Sequence, residues 1–456
     1  MQKTKWYGLT TAVLVDYITA LLAWCCFFLF RKIYIEKTDF TFSTVLQDKN
    51  FQKGILLIPL VWLVLYFFTN SYSSLLLKSR LNELFKTLYQ SLIGSILFFF
   101  SLMLNDYIRQ YGDYYRLIGA YFLIHFSLTY IGRFLILTII HQKIQTGKIF
   151  IPTLLLGNEN HCKLAEEELV SSRFVLPYKI IAKKTVTQDE TISFIEPDNY
   201  ENVILAFLPE EKKQMETALI LFLNRGKSIK MLSDESDILS GKYKTQSIFG
   251  TSLIEIPTEI LDLKQRILKR SFDFVASFSG LILLSPLLLY LAIRVKLSSP
   301  GSVFFKQERV GQHNKPFQII KFRSMVENAE NGVPQLSSEN DERITSFGKT
   351  LRKYRLDELP QLYNVLIGDM SLVGPRPERA FFIKQIIETA PQYQLLQRIK
   401  PGITSLGMVK YGYASNLKEM LQRMHFDMLY IENMSMLMDL KIMLYTVMIL
   451  AKGKGK

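Results

Sequence analysis

Four apolar segments crowd the first third of the chain: Trp6 to Phe30, Gly54 to Ser73, Leu84 to Leu104 and Leu117 to Ile140. Each is near the ~20 residues a helix needs to cross a bilayer, so the pattern predicts four transmembrane helices over residues 1–148. The first is too long, and too poorly flanked by small residues, for a cleaved signal peptide. From about Phe150 the pattern changes to short apolar runs, Ile151 to Leu156, Tyr178 to Ala182 and Val203 to Phe207, alternating with polar helical stretches such as Glu210 to Asn224. That alternation predicts a small α/β domain with a parallel sheet over 149–258. A fifth apolar block runs from Phe272 to Leu297 with Ser285-Pro286 at its centre. Proline removes a helix hydrogen bond and clashes with the preceding turn, so the helix should bend sharply there. The block is either a hairpin that enters and leaves by one leaflet or a kinked spanning helix. Beyond Lys296 the chain reads as a soluble segment rich in Arg, Lys, Gly and Pro.

The 456 residues are enough for two or three folded units, and 49% hydrophobic residues gathered in blocks place the chain among membrane proteins. With such blocks, a net charge of +14 suits anionic headgroups or phosphorylated substrates better than nucleic acid. Cys25, Cys26 and Cys162 build neither a disulfide framework nor a metal-ligand spacing. Lys3 and Lys5, then Lys78, Arg80 and Lys86, then Lys143 and Lys148 mark cytoplasmic stretches. The first connection also carries Arg31, Lys32, Lys37, Lys49 and Lys53, diluted by Glu36, Asp39 and Asp48, which works against this orientation. Lys269 and Arg270 before the fifth block, and Arg294 and Lys296 after it, favour cytoplasmic flanks on both sides. Asp16 reads as a packing or snorkelling side chain and counts as the one interior charge in four spans, which argues against a transporter or lipid flippase.

Leu154-Leu155-Leu156-Gly157 begins like a dinucleotide-binding turn but keeps only the first of three glycines, so the middle domain reads as Rossmann-like with a degenerate ligand site. Alternation around Ile319 to Arg323 projects Lys321 and Arg323 to one face of an extended segment, where two cations suit phosphate oxygens. In Leu356-Asp357-Glu358-Leu359-Pro360-Gln361, Pro360 belongs in a first helical turn and places Asp357 and Glu358 at a helix N-terminus behind a basic run. Such a place suits a phosphate with a metal, but by itself reads first as an ordinary acidic helix start. Gly374-Pro375-Arg376-Pro377-Glu378 forms a rigid loop that cages Arg376.

Together with Lys269-Arg270-Ser271-Phe272-Asp273 and Lys321-Phe322-Arg323-Ser324-Met325, these motifs closely resemble the monotopic phosphoglycosyl transferases, in their large form with a four-helix front and a middle α/β domain. The resemblance is strong over 265–456 and loose before it. It implies a membrane α-helical bundle, a Rossmann-like middle domain and an α/β monotopic catalytic domain whose helix 272–297 is re-entrant and broken at Ser285-Pro286. It also implies a multi-pass protein of the bacterial inner membrane with its catalytic domain on the cytoplasmic face. The implied reaction moves a sugar 1-phosphate from a UDP-sugar to polyprenyl (undecaprenyl) phosphate, releasing UMP, at the first membrane step of exopolysaccharide, capsule or O-antigen synthesis. Asp357 would be the nucleophile and the Mg²⁺ ligand, Glu358 its partner in the dyad, and Lys321, Arg323, Arg376 and Arg309 the phosphate-binding cations. Partners would be the two substrates and membrane lipid, with homodimerisation left open and no nucleic acid. A rival reading is a catalytically inactive scaffold or regulator of a polysaccharide assembly complex, against which the intact Asp357-Glu358 pair stands. One departure bears on the donor: where many relatives carry Gly-Leu-Trp-Gln-Val, this chain has Gly407 and Met408 in place of the Trp-Gln pair. The tail, Tyr430 to Leu450, has helical spacing that suits either the membrane surface or a core helix.

Overall fold

The computed structural model describes residues 7–37, 42–73, 75–103, 111–171, 176–186, 199–232, 253–256, 259–326, 341–412, 414 and 416–451. Lys3, Lys5, Trp6, Asp39 and Leu104, which entered the reading of spans and orientation, lie outside the described residues. The backbone divides into two compact units, one holding the N-terminal helices and the first three strands, the other holding helix 212–224 and the chain from Glu255 onward.

In the first unit, helices cover Leu9–Phe30 (α1), Phe42–Gln47 (α2), Lys49–Phe68 (α3), Arg80–Met103 (α4) and Tyr111–Gln145 (α5). Among the described residues, three helices are long and apolar enough to cross a membrane, Leu9–Glu36, Lys49–Phe68 and Gly112–Gln145, and the protein is membrane-associated. The third expected span falls on α4, which buries Glu83, Thr87, Gln90, Ser91 and Ser95 along one side. Trp24, Phe27, Phe51, Trp62 and Tyr121 pack as an aromatic core. Beside this core Arg133 of α5 forks onto Asp16 of α1, with Nε–Oδ1 and Nη2–Oδ2 both 2.9 Å. Its Nη1 donates to Glu83 Oε1 at 3.2 Å, Thr87 Oγ1 at 3.1 Å and Gln90 Oε1 at 2.8 Å. Asp16 is therefore a packing contact, as expected, but the count of one interior charge is corrected: Arg133 is buried inside the fourth segment, and Glu83, one residue ahead of the third, is buried with it. Without a partner helix in view, Arg133 passed as one residue in an apolar run.

The sheet contains β1 (Ile151–Gly157), β2 (Tyr178–Thr185), β3 (Asn202–Ala206), β4 (Ser228–Leu232) and β5 (Leu253–Ile256) in the order β2-β1-β3-β4-β5, with β1 parallel to both its neighbours. Helix α6 (Glu159–Ser171) follows β1, and α7 (Lys212–Asn224) follows β3. Every residue of β3 is buried, as strands covered on both faces require. A Cβ at Gly157 would stand 1.9 Å from the carbonyl oxygen of Ala206, so this glycine has a packing role between β1 and β3. The 149–258 segment is shared between the units, and Asn224 at the end of α7 donates to Gln394 at 2.8 Å within the second.

From Glu255 onward the second unit continues with α8 (Leu263–Leu283), started by a capping box between Asp262 and Gln265, and α9 (Ser285–Ser298). The two are bent by 64° at Leu284, with Pro286 in the first turn of α9, where its missing N–H costs least. Phe278, Leu283, Leu289 and Leu297 on this pair are exposed. Strands β6 (Phe304–Val310) and β7 (Pro316–Phe322) form an antiparallel ribbon. Then come α10 (Ser346–Lys353), α11 (Gln361–Ile367), β8 (Ser371–Val373), α12 (Ala380–Thr389), β9 (Gly402–Thr404), α13 (Leu406–Lys410), α14 (Leu417–Glu432) and α15 (Met436–Ala451), with β8 parallel to β9.

Candidate active site

Arg355 takes a left-handed backbone conformation, φ 52°, uncommon for a residue with a Cβ, and turns the chain out of α10 into a single 3-10 turn over Leu356–Glu358. This turn buries two adjacent carboxylates, Asp357 at 8% exposure and Glu358 at 5%. They lie just ahead of α11, whose N-cap is Pro360, and so one short turn before the expected helix start.

Three elements bring cations to the pair. Asn364 of α11 completes the edge of β7, accepting from Ile320 N–H at 3.0 Å and donating to Gln318 C=O at 2.8 Å. That clamp sets Lys321 over Glu358, Nζ–Oε1 2.8 Å. The loop after β8 delivers Arg376, whose Nη2 donates to the same Oε1 at 3.2 Å while Nη1 lies 3.4 Å from the Met408 sulfur. Arg352, held by Ser324 Oγ at 2.9 Å, adds positive charge near Asp357.

The two carboxyls respond in opposite directions. Burial pushes Asp357 up to about 6, helped by the neighbouring Glu358 charge and opposed by Lys321, Arg352 and Arg376. Burial acts upward on Glu358 too, but Lys321 and Arg376 in contact, with Arg355 nearby, outweigh it and hold this carboxyl well below the usual range. Both are ionised at neutral pH and Asp357 is the more basic. Lys321 and Arg376 pair with Glu358, and among the described residues no ion pair ends on Asp357. A buried carboxylate of raised basicity beside cations for a leaving phosphate suits covalent phosphoryl transfer.

Other predicted cations do different work. Arg323 donates Nη1 to Pro300 C=O and Nη2 to Ser299 C=O, both at 2.6 Å, so it ties down the turn after α9 instead of standing with Lys321 over the dyad. Arg309 braces the caged loop through Pro377 C=O at 3.2 Å and Glu378 Oε2 at 3.5 Å. Glu378 is also gripped by Arg423 of α14. Lys269 and Arg270 bind backbone: Lys269 donates to Val373 C=O at 3.0 Å, and Arg270 to Val365 and Leu366 C=O at 2.7 and 2.8 Å.

The bacterial sugar transferase family matches residues 264–453, which contain all of this machinery. The chain is 39% identical over 221 residues to the UDP-N-acetylgalactosamine-undecaprenyl-phosphate N-acetylgalactosaminephosphotransferase of Aeromonas hydrophila, covering 48% of this chain and 51% of that one. It is 40% identical over 194 residues to the UDP-glucose:undecaprenyl-phosphate glucose-1-phosphate transferase of Caulobacter vibrioides, covering 42% of this chain and 71% of that protein. It is 40% identical over 197 residues to the exopolysaccharide production protein PSS of Rhizobium leguminosarum, covering 41% of this chain and 98% of that protein. The chain belongs to the bacterial sugar transferase family. With the Aeromonas protein, the match spans about half the length of either chain.

Within this family member the Gly407-Met408 departure falls at the site itself. A Cβ at Gly407 would come 2.7 Å from Arg423 Cγ, 2.8 Å from its carbonyl oxygen and 2.9 Å from Asp427 Oδ1. Helix α14 thus occupies the space that a large side chain at 407 would need, and Asp427 accepts the Gly407 N–H at 2.8 Å. Burial pushes Asp427 up to about 6. The sequence held no signal for Asp427 or Asn364, because their partners lie 20 and 44 residues away. Arg352 and Arg355 stand inside the basic run ahead of Asp357, where only the fold separates them from surface charges.

Proposed function

We propose that the chain transfers a sugar 1-phosphate from a UDP-sugar to undecaprenyl phosphate through an aspartyl intermediate at Asp357. The observation that carries this reading is the buried dyad, in which Lys321 and Arg376 pair with Glu358 while burial raises Asp357. An Asp357 oxygen attacks the β-phosphorus of the donor. The bond from that phosphorus to the bridging oxygen breaks, and UMP leaves with the electron pair, its charge met by Lys321 and Arg376. A phosphate oxygen of the lipid then attacks the acyl phosphate, forming the lipid diphosphate sugar and returning the carboxylate. The relatives named for such transfers support this choice of substrates.

No cluster of three His, Cys, Asp or Glu side chains converges among the described residues, so a magnesium ion would rest on Asp357 and take its other ligands from the diphosphate and water, as this ion commonly does. When bound it would screen the repulsion between carboxylate and diphosphate. The strand order β2-β1-β3-β4-β5 supports a doubly wound, Rossmann-like middle domain. The 64° break supports a re-entrant α8–α9 hairpin, with the catalytic domain at the cytoplasmic face of the inner membrane, where a cytosolic nucleotide sugar and a lipid phosphate meet.

Purified protein given a panel of UDP-sugars and undecaprenyl phosphate should release UMP with one donor or more. Asp357→Asn keeps the shape and removes the charge, and should cost at least ~10³-fold while leaving folding intact. Near-normal UMP release by Asp357→Asn would instead point to direct attack by the lipid phosphate.

A further inference from the structure

Arg376 reaches Glu358 with Nη2 at 3.2 Å and Met408 with Nη1 at 3.4 Å, so the place of the Met408 sulfur sets one edge of the guanidinium. Met408 lies in the first turn of α13, a helix of five residues, too short to hold its position unaided. Its own N–H donates to Ser405 Oγ at 3.0 Å. The preceding N–H, that of Gly407, crosses to α14 and donates to Asp427 Oδ1 at 2.8 Å. Asp427 is buried, and α14 is seated firmly, with Met420 and Met424 packed against Phe382, Ile383 and Ile386 of α12. One turn earlier on α14, Arg423 grips Glu378, two residues beyond Arg376 in the caged loop. A single helix therefore holds the backbone that carries Met408 and the loop that carries Arg376.

We infer that Asp427 is a positioning residue, which fixes Arg376 over the dyad through Gly407 and Met408. The role rests on the reaction proposed above, in which Arg376 meets the leaving phosphate. A carboxylate suits the task because a bond from an N–H to a charged oxygen is about twice as strong as a neutral one. The short helix is thereby tied to a long one. The same contact accounts for the absent side chain at 407. A Cβ there would come 2.8 Å from the Arg423 carbonyl oxygen and 2.9 Å from Asp427 Oδ1, so this support, as it stands, needs glycine at 407. The plainer alternative is that Asp427 only caps α13, in which case its loss costs stability and does not act through Arg376.

The test uses the full chain in lipid nanodiscs, with an isotope label on the methionine methyl carbons read by NMR. The Met408 signal is the one lost in Met408→Leu. Arg376→Lys should move that signal, and so should Asp427→Leu, which removes the acceptor. Asp427→Asn keeps an oxygen for the Gly407 N–H and should move it less. A Met408 signal unmoved by either Asp427 variant overturns the inference. The second readout is kcat/KM for UMP release. The factor lost on Arg376→Lys should shrink at least about fivefold in the Asp427→Leu background, and by less in Asp427→Asn, because a displaced guanidinium has less to lose. An unchanged factor in both backgrounds, with only the melting temperature lowered, would leave Asp427 a cap and overturn the inference. If the wild type releases no UMP from any donor, the proposed reaction fails, and the Met408 signal alone decides whether Asp427 places Arg376.

Discussion

Glu358→Gln separates the electrostatic part of the dyad from its bulk. Raising Asp357 from an ordinary 3.8 to about 6 disfavours its ionised form by about 3 kcal/mol. Burial supplies the largest share and the Glu358 charge the next. Replacing Glu358 by its neutral isostere removes that charge. It also leaves Lys321 and Arg376, which both bind Glu358 Oε1, without a neutralising partner, and their charge then acts on Asp357 alone. Both changes stabilise the ionised nucleophile, so the Asp357 pKa must fall. In the proposed mechanism the reactive form is the ionised one, so wild-type kcat/KM for the UDP-sugar should rise with pH through about 6. In Glu358→Gln that rise should move at least about one unit lower, about 1.4 kcal/mol. The plateau should fall by ~10²-fold, since Lys321 and Arg376 lose the group that positions them. The assay is initial-rate UMP release between about pH 4.5 and 8.5, analysed as kcat/KM for the donor, which reports the free enzyme and free donor. This choice keeps the second ionisation of the lipid phosphate, near 6, out of the profile. An acid limb that stays near 6 in Glu358→Gln would refute the assignment of that limb to Asp357 and the coupling behind it.

Arg133→Ala should destabilise the helical unit by about 3–5 kcal/mol, because it leaves the Asp16 and Glu83 carboxylates buried without their partner; a melting temperature in detergent within about 2 °C of wild type would count against the network as a stabilising one. Single cysteines at Arg266 and Ser298, exposed positions near the outer ends of α8 and α9, should react with a membrane-impermeant thiol reagent from the same side of the bilayer in a cysteine-free background, and labelling from opposite faces would restore a spanning helix.

Helices and strands were legible wherever burial repeats along the chain. The runs at 151–156, 178–182 and 203–207 became β1, β2 and β3 to within a few residues; β3 and most of β1 are covered on both faces and need unbroken apolar side chains, whereas β2 is a largely exposed edge strand. Pairings across the chain were not legible. Glu83, Gln90 and Arg133 sit in segments whose average is apolar, and only the approach of three helices turns them into one buried cluster. Alternation placed Lys321 and Arg323 on one face, but the turn at Ser299-Pro300 offers Arg323 two carbonyls, a competitor that no local pattern reveals. The Asp357-Glu358 pair was legible as a motif, while the opposite shifts of its members depend on Lys321, 37 residues from Glu358, and on Arg376 in a separate loop.

The Lys269 to Asp273 motif gains a second meaning from these contacts. Arg270 caps the last carbonyls of α11, the helix that follows the dyad, where a cation also suits the helix dipole. One turn further along α8, Asp273 accepts from Ser371 Oγ at 2.8 Å and from Leu372 N–H at 3.1 Å, both on β8, the strand that leads into the Arg376 loop. Lys269 adds Val373 C=O at the end of that strand. A single helix thus anchors both carriers of the chemistry, the turn that bears the nucleophile and the loop that bears the arginine, and its continuation is the exposed apolar pair α8–α9. Two independent sets of bonds fix the distance from that apolar surface to Asp357. In the proposed reaction a lipid phosphate, whose height is set by its own hydrocarbon, would then meet the carboxylate without a search in depth. Loosening α8 at Asp273 should therefore impair use of a membrane-bound acceptor more than binding of the soluble donor.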